Sequence, residues 1–468
     1  MNTFASAVIN QEARTTNGMK ALDSTSNSCV DLFYTIGASR GKDIIPGFVA
    51  AYVENKDIAL RIAMWSRDVR GGAGERELFR SILKHLEIVD INAAKQLLAK
   101  VPEIGRWDDI FVFKTSEMKS LAYTMLGDAL RAGNGLAAKW TPRKGKIASE
   151  IRTFYGMTPK QYRTSLVRLT KVVETQMCAQ DWDNINFSHV PSIASSNYKK
   201  AFTRHTPKFA EYVNALVKGD PSVKVNASAI FPHDIITNIN SDSQVVLDHV
   251  VAQWNALPNY VGDSNILPMV DVSGSMTCLV GGNKSKSTLR CLDVATSIGL
   301  YLADKNKGKF KDLFLTFSSS SKLISLKGNI VQKLRQMNTS DWQMSTNLKS
   351  AFTAILKVAI DGNVPKEEMP SMLLILSDMN FDRCVSYDDS AMQMIKRMYS
   401  DAGYTVPQIV FWNLNSSSTV PVSSNEDGTA LVSGFSPSIL TALLSADLSE
   451  FTPEAIMMKA IMNDRYCL

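Results

Sequence analysis

Asp271-Val272-Ser273-Gly274-Ser275 offers one carboxylate and two hydroxyls within five residues, at the end of the apolar run Ile266–Asp271 (ILPMVD). Further along, Thr346 stands at the head of a helical stretch, and Asp378 follows a second apolar run, Met372–Ser377 (MLLILS). In an open parallel sheet, ligands gather outside the carboxyl ends of the strands. Asp271, Ser273, Ser275, Thr346 and Asp378 are therefore expected at one sheet edge. All five present hard oxygen donors, with no thiolate or imidazole. Such a set suits Mg2+ or Mn2+ in near-octahedral geometry with water retained. Three neutral hydroxyls leave the cation electron-poor, seeking one more anionic oxygen from a partner's Asp or Glu, or from a phosphate. A lone D-x-S-x-S is ordinarily a polar turn. Thr346 and Asp378 in later loops single this one out.

Catalysis by this set is not expected. The chain has five histidines, the last being His249, so the second half has no imidazole for a Ser-His-Asp hydrolase. A metal-dependent nuclease or phosphatase ordinarily uses two or more direct carboxylates. Only Asp271, Asp378 and Asp382 stand here, with no evident general base, and Asp382 reads as a supporting or capping group. Gly281–Ser287 (GGNKSKS) lacks the G-x-x-x-x-G-K-[ST] order of a phosphate loop. Six scattered cysteines contain no C-x-x-C, so neither a zinc ribbon nor a dithiol is readable, and reduced thiols in the cytoplasm are the simplest expectation.

The elements that must position these residues change in grammar near residue 260. From about Ser24 to Ser241 apolar residues recur at helical spacing: Val49, Tyr52 and Val53; Ile58, Ile62 and Trp65; Leu78, Ile82, Leu83 and Leu86; Ala94, Leu97, Leu98 and Val101; Leu121, Met125, Leu126 and Leu130; Val167 to Met177. Short Gly, Pro and Asn breaks suggest packed antiparallel helices, as in an α-solenoid, although no fixed repeat period is visible. After Asn255, Ile266–Asp271, Asp312–Phe317, Met372–Ser377 and Gln408–Leu414 read as buried strands alternating with helices. That alternation predicts a doubly wound parallel sheet. The fold class is thus α plus α/β, with a helical domain over 1–260 and an α/β domain over 261–468, divided near Pro258 and Val261–Ser264.

Charge divides the same way. Residues 1–260 hold 32 Lys and Arg against 25 Asp and Glu, a net of +7; the remainder holds 19 against 20, a net of −1. The surplus suits a polyanion partner for the first part, or simply a solvated basic surface. Arg67, Arg70 and Arg76 flank a glycine-rich turn where backbone amides can approach an anion, although Asp68 and Glu75 are at hand to pair with them. Lys139, Arg143, Lys144 and Lys146 surround Trp140, a mix that suits a phosphate backbone and one stacked base, or a solvated loop. Lys199, Lys200, Arg204 and His205 form a third cluster, more simply a solvated helix face. Gly105–Asp109 reads as a helix start.

The set Asp271, Ser273, Ser275, Thr346 and Asp378 resembles the metal-ion-dependent adhesion site of von Willebrand factor A domains. That resemblance implies direct ligation by Ser273, Ser275 and Thr346, with Asp271 and Asp378 acting mostly through waters. The insertion Thr277–Thr288 departs from the pattern. The whole chain resembles the TROVE-domain, Ro autoantigen-like family, and most of all its plant, bacterial and phage relatives, through Asn27–Phe33, Arg67–Arg76, Gly105–Asp108, Ala137–Arg143, Val190–Ala194, Phe231–His233, Ser377–Asp382, Ile409–Leu414 and Leu431–Phe435. The resemblance implies a monomeric ring or crescent of HEAT-like helical repeats capped by the A domain. It also implies binding of noncoding or misfolded RNA, with single-stranded ends in the hole and duplex outside. The family's RNA-contacting residues have no one-for-one match here. The alternative is a metal-dependent protein-interaction module working without RNA.

Composition is ordinary for a globular chain, at 45% hydrophobic and 21% charged over 468 residues. The longest apolar stretch, Ile44–Val53, is broken by Pro46 and Gly47, and the first residues lack a basic-then-apolar leader, so no membrane partner is expected.

Overall fold

The computed structural model describes residues 12–237, 239, 241–281, 288–317, 321–338, 346–383, 389–415, 419–446 and 450–468. Helices fill the first part. Side-chain caps set their starts: Asn27 accepts from the amides of Cys29 and Val30, Asp90 from Asn92 and Ala93, Asn134 from Leu136 and Ala137, and Thr158 forms a capping box with Gln161. Helices Ser28–Ile36, Ile45–Glu54, Lys56–Arg67, Arg76–Val89 and Ile91–Ile104 each pack on the next, and alternate members also touch. Some expected faces are turned. Helix Ile45–Glu54 buries Phe48 and Ala51, leaving Val53 81% exposed, and Leu121 and Val167 also face solvent. A second, smaller core gathers Phe187, Phe202, Phe209, Tyr212 and Val213.

The second half is built on a six-stranded sheet: β3 (Ile266–Asp271), β4 (Leu313–Phe317), β5 (Lys322–Ser325), β6 (Met372–Ser377), β7 (Gln408–Asn413) and β8 (Thr429–Ser433), in the order β5-β4-β3-β6-β7-β8. Only β5 runs antiparallel to its neighbour. Every residue of β3 and β6 is buried, and each strand is apolar up to its last residue, as expected of central parallel strands. Chain order reverses direction across the sheet between β3 and β6, which opens a crevice at their carboxyl ends. Two strands lay outside the expected set. β5 is an edge strand of mostly exposed residues, and β8 is a short run, TALVS, that is buried by the helices against it.

The helical part meets the sheet half at both of its ends. Ser28–Ile36 packs on β8 and on helix Pro453–Ile461, while Pro232–Ile236 packs on helix Cys291–Lys305 and Gln244–Asn255 on Ile330–Asn338. At the first junction Gly37 lies so close to the Ser433–Gly434 backbone that a Cβ would stand 2.8 Å from it, and its amide donates to Ser433 Oγ at 3.1 Å. Asn413 Nδ2 donates to Tyr34 O at 3.2 Å beside it. The first described residues also lie on the sheet half. Strands β1 (Glu12–Arg14) and β2 (Lys20–Leu22) form a hairpin that bridges to Asp382, Ser390 and Val420. Residues 12–25 thus lie against the sheet half although they belong to the first part of the sequence. No helix among the described residues is long and apolar enough to cross a membrane.

Candidate functional site

β3 and β6 lie side by side with Val270 opposite Leu376, so Asp271 and Ser377 emerge together at the carboxyl edge. Asp271 is fully buried. Its Oδ1 accepts from the Ser273 amide at 2.9 Å and its Oδ2 from Ser377 Oγ at 2.5 Å. That turn fixes Ser273, and a 3-10 turn over Gly274–Thr277 then brings Ser275 Oγ to 3.0 Å from Ser273 Oγ. Ser273 is buried and Ser275 is exposed. Asp378 follows β6, and Met379 takes a left-handed conformation (φ +63°) that turns the chain away. Thr346 reaches this edge through paired bonds: its amide donates to Asp382 Oδ2 at 2.8 Å, and its carbonyl accepts from the Asp382 amide at 3.1 Å. Asp382 is therefore the group that seats the Thr346 loop, and Asn347 caps the helix Leu348–Asp361 that follows. Ser345 and Gly282–Ser287 lie outside the described residues.

The electrostatics of this edge favour a positive charge. Burial, and then the neighbouring Asp378, push the Asp271 carboxyl up to about 7, while its bonds from Ser377 and Ser273 pull the other way. Adjacent ligands on an octahedral Mg2+ at 2.0–2.1 Å stand about 3 Å apart, the separation the two serine hydroxyls already hold. The side chains at this edge are all oxygen donors, the type a small hard divalent cation takes, and the two serine hydroxyls have the spacing of neighbouring ligands. The hairpin seals one side of it. Thr15 Oγ1 donates to Phe381 O at 2.7 Å, Asn17 Nδ2 to Asn380 O at 2.7 Å, and the Arg383 amide to Asn17 O at 3.1 Å. Nothing in the three-residue strands of that hairpin signals such a role, because their partners lie more than 350 residues away.

The basic candidates separate into three groups. Arg67 and Lys199 are corrected by burial. Arg67 Nε bonds Asp109 Oδ2 at 2.7 Å in a buried ion pair, and Lys199, 1% exposed, donates its Nζ to Ser196 O at 2.6 Å. Burial lowers the Lys199 amine to about 8, helped by Lys200. Lys199 is not placed to meet a phosphate, whereas Arg67, held by Asp109, stands in the wall of the cavity that Arg76 and Lys139 also line. The glycine-rich turn beside Arg67 is likewise a packing device. Asp68 takes Arg465 Nη2 at 2.9 Å and Tyr466 Oη at 3.0 Å, Glu75 takes Arg40 at 2.6 Å, and a Cβ on Gly72 would overlap the Trp65 carbonyl.

Arg76 and Lys139 line a cavity of about 820 Å³ among the helices, together with Arg40, Arg106, Trp140, Asn197 and Tyr198. The Arg106 guanidinium lies 3.7 Å over the Trp140 ring and Lys139 Nζ is 5.5 Å from it. Asp108 holds Arg106 in place. Burial would raise Asp108, but the hydrogen bond from Arg106 and the charge of Arg80 outweigh it and keep it ionised. Lys139 pairs with Glu174 at 3.3 Å. Gly105–Asp109 does start a helical turn, with Asp109 accepting from the Arg106 amide, and the same carboxylate joins Arg67 and Arg80.

Arg70, Arg143, Lys144, Lys146, Lys200, Arg204 and His205 are exposed. Arg143 leans on Thr170 at 2.9 Å, and His205 stacks on Trp182 with ring centres 4.4 Å apart. Sequence reasoning missed their neighbours. Between Asp128 and Glu174 the chain carries ten Lys and Arg against one carboxylate, Glu150. Lys160, Arg163, Arg168 and Lys171 are exposed, and among the described residues no carboxylate pairs with them. A running charge count over that segment finds the band; a search for aromatic-basic clusters does not.

Two family profiles match, described as "Domain of unknown function (DUF2828)" over residues 130–265 and "Domain of unknown function (DUF7788)" over 265–464. Along nearly its whole length the chain is also similar to "Uncharacterized protein L728" of Acanthamoeba polyphaga mimivirus, at 30% identity over 512 residues, covering 96% of this chain and 86% of that protein. The chain belongs to that protein's family. Among solved structures it is similar to the Ro (RSR) protein of Deinococcus radiodurans, at 12% identity with a TM-score of 0.37, over 93% of this chain and 99% of that one, too slight a likeness to carry a fold.

Proposed function

We propose that this protein is a noncatalytic RNA-binding scaffold of Ro type, with a cation-dependent partner site on a von Willebrand A-like second half. The observation that carries the RNA reading is the exposed band from Arg143 to Lys171, whose Lys and Arg side chains outnumber carboxylates ten to one over the wider segment. Lys160, Arg163, Arg168 and Lys171, which have no carboxylate partner among the described residues, would release counterions on meeting a phosphate backbone, and that release drives association. The Arg106–Trp140 stack beside the cavity supports a place for an unpaired base. A HEAT-like ring accords with helices that dock on the sheet half at both ends. Sequencing of nucleic acid crosslinked to the purified protein tests this. Recovery of discrete noncoding or misfolded RNAs is expected, and recovery of none contradicts it.

The hydroxyl-rich edge supports a second activity of the same molecule. Ser273, Ser275 and Thr346 would hold Mg2+ or Mn2+, with Asp271 and Asp378 behind them. The bound cation would supply Lewis acidity toward one anionic oxygen of a partner. Ser275, exposed at the rim, leaves that approach open. A partner Asp or Glu is the oxygen such an electron-poor site recognises. If capture of protein partners is abolished by EDTA and by Asp271→Ala with no RNA present, the interaction module is the main function instead.

A further inference from the structure

Cys278 and Cys291, 13 residues apart in sequence, bring their sulfurs to 3.5 Å. They stand at the base of a short antiparallel ladder in which the Val280 amide donates to Leu289 O, the Cys291 amide donates to Cys278 O, and Leu279 faces Arg290. Directly opposed residues in such a ladder hold their Cα atoms about 5.5 Å apart, within the range a disulfide spans. Closing the sulfurs to the bonded ~2.05 Å therefore asks for side-chain rotation rather than backbone movement.

The two thiols differ in setting. Cys278 is partly exposed, while Cys291 is buried at the first turn of its helix, with Leu414 O 3.7 Å from its sulfur. Asn415 Nδ2 approaches Cys278 Sγ at 3.6 Å, and Asn415 Oδ1 accepts from Lys42 Nζ at 3.1 Å. An accessible thiol in contact with a buried one is the division of labour between an attacking and a resolving cysteine. Elsewhere among the described residues Cys29 is buried and pushed up to about 12 by burial, and Cys178 and Cys467 are exposed without a second cysteine beside them.

We propose that Cys278 and Cys291 form a dithiol that low-molecular-weight disulfides oxidise to an intramolecular disulfide. The Cys278 thiolate attacks one sulfur of the small disulfide; a mixed disulfide forms and one thiolate leaves, taking a proton from solvent. Cys291 then gives its proton to solvent and attacks Cys278 Sγ, expelling the second thiolate. Two protein thiols lose two electrons, one small disulfide becomes two thiols, and no other reactant enters. The new bond ties the residue just after the Gly274–Thr277 turn, which carries Ser275, to the start of helix Cys291–Lys305. This inference does not depend on the cation or RNA readings, and its test is run in EDTA.

The full-length reduced protein is equilibrated with mixtures of reduced and oxidised glutathione, quenched in acid, alkylated and mapped by mass spectrometry. The expected product is a linked Cys278–Cys291 peptide about 2 Da lighter than the dithiol, with the other four cysteines alkylated. Cys278→Ser should abolish it, and Cys291→Ser should trap glutathione on Cys278. The proposal is overturned if both cysteines remain alkylated in the most oxidising mixture, or if they link to other cysteines instead. Should Cys291→Ser fail to fold, the wild-type map alone decides.

Discussion

Ser377 Oγ donates a 2.5 Å hydrogen bond to Asp271 Oδ2, joining the two central strands where they leave the sheet. The bond holds a fully buried carboxyl next to Asp378, with no Lys or Arg among the groups that act on it. Its carboxyl is raised from 3.8 to about 7. Below 3.8 folded and unfolded forms are both protonated; as pH rises from there to 7 the unfolded chain ionises first and stability falls. Above pH 7 the cost is full, on the order of 4 kcal/mol. Asp271→Asn should therefore stabilise the protein in EDTA at pH 8, by up to about that amount, as read by urea unfolding. The same change should remove any rise in Tm that Mn2+ produces in the wild type. A destabilised Asp271→Asn protein in EDTA would show that the carboxylate is satisfied by the chain alone.

His249 supplies an acid-side dependence. Its Nε2 lies 2.8 Å from Ser195 Oγ in a buried site, and burial, with Lys199 nearby, lowers it to about 3. The unfolded imidazole takes up its proton near pH 6.5 and the folded one does not until about 3, so stability falls as pH drops through that window. The slope expected from one such group is about 1.4 kcal/mol per pH unit. Urea melts at pH 7, 5 and 4 should show a shallower loss in His249→Phe than in the wild type. Equal slopes would mean that His249 is protonated in the fold.

Asp109 is the centre of a buried charge network, accepting Arg67 Nε on one oxygen and Arg80 Nε on the other, each at 2.7 Å. Removing one partner of a buried pair leaves an uncompensated charge, at a cost of about 3–5 kcal/mol. Asp109→Ala should lose that much in chemical denaturation. Arg67→Met combined with Asp109→Leu should recover part of it. A cost under about 1 kcal/mol for Asp109→Ala would mean that water reaches the pair.

What could be read from residues alone follows the range of the interactions involved. β3 and β6 were legible to the residue, because six consecutive buried positions leave a continuous apolar run. Asp271, Ser273 and Ser275 were legible as a turn after a strand, and Thr346 and Asp378 as later loops of the same alternation. Side-chain direction was not. Lys199 belongs to a basic run, yet its position on helix Ser192–His205 turns it into the smaller core, and Arg67 ends a helix whose last turn is buried by Asp109. The hairpin over β1 and β2 was invisible because strands of three residues gain their stability from partners in the other half. The Cys278–Cys291 pair was missed for a similar reason: its spacing fits no local motif, and a ladder within the insertion brings the sulfurs together.

The central claim is that the exposed basic band binds an RNA backbone. Fluorescence anisotropy with a structured RNA, repeated across a salt series, tests it most directly. Each phosphate neutralised on a duplex contributes about −0.9 to the slope of log K against log salt. The account predicts steep salt dependence for the wild type. It predicts a slope shallower by about 3 units, with affinity reduced at least tenfold, when Lys160, Arg163 and Arg168 are all changed to Glu. Lys199→Met should leave both unchanged. No affinity at low salt, or a triple variant that binds as the wild type does, would contradict it.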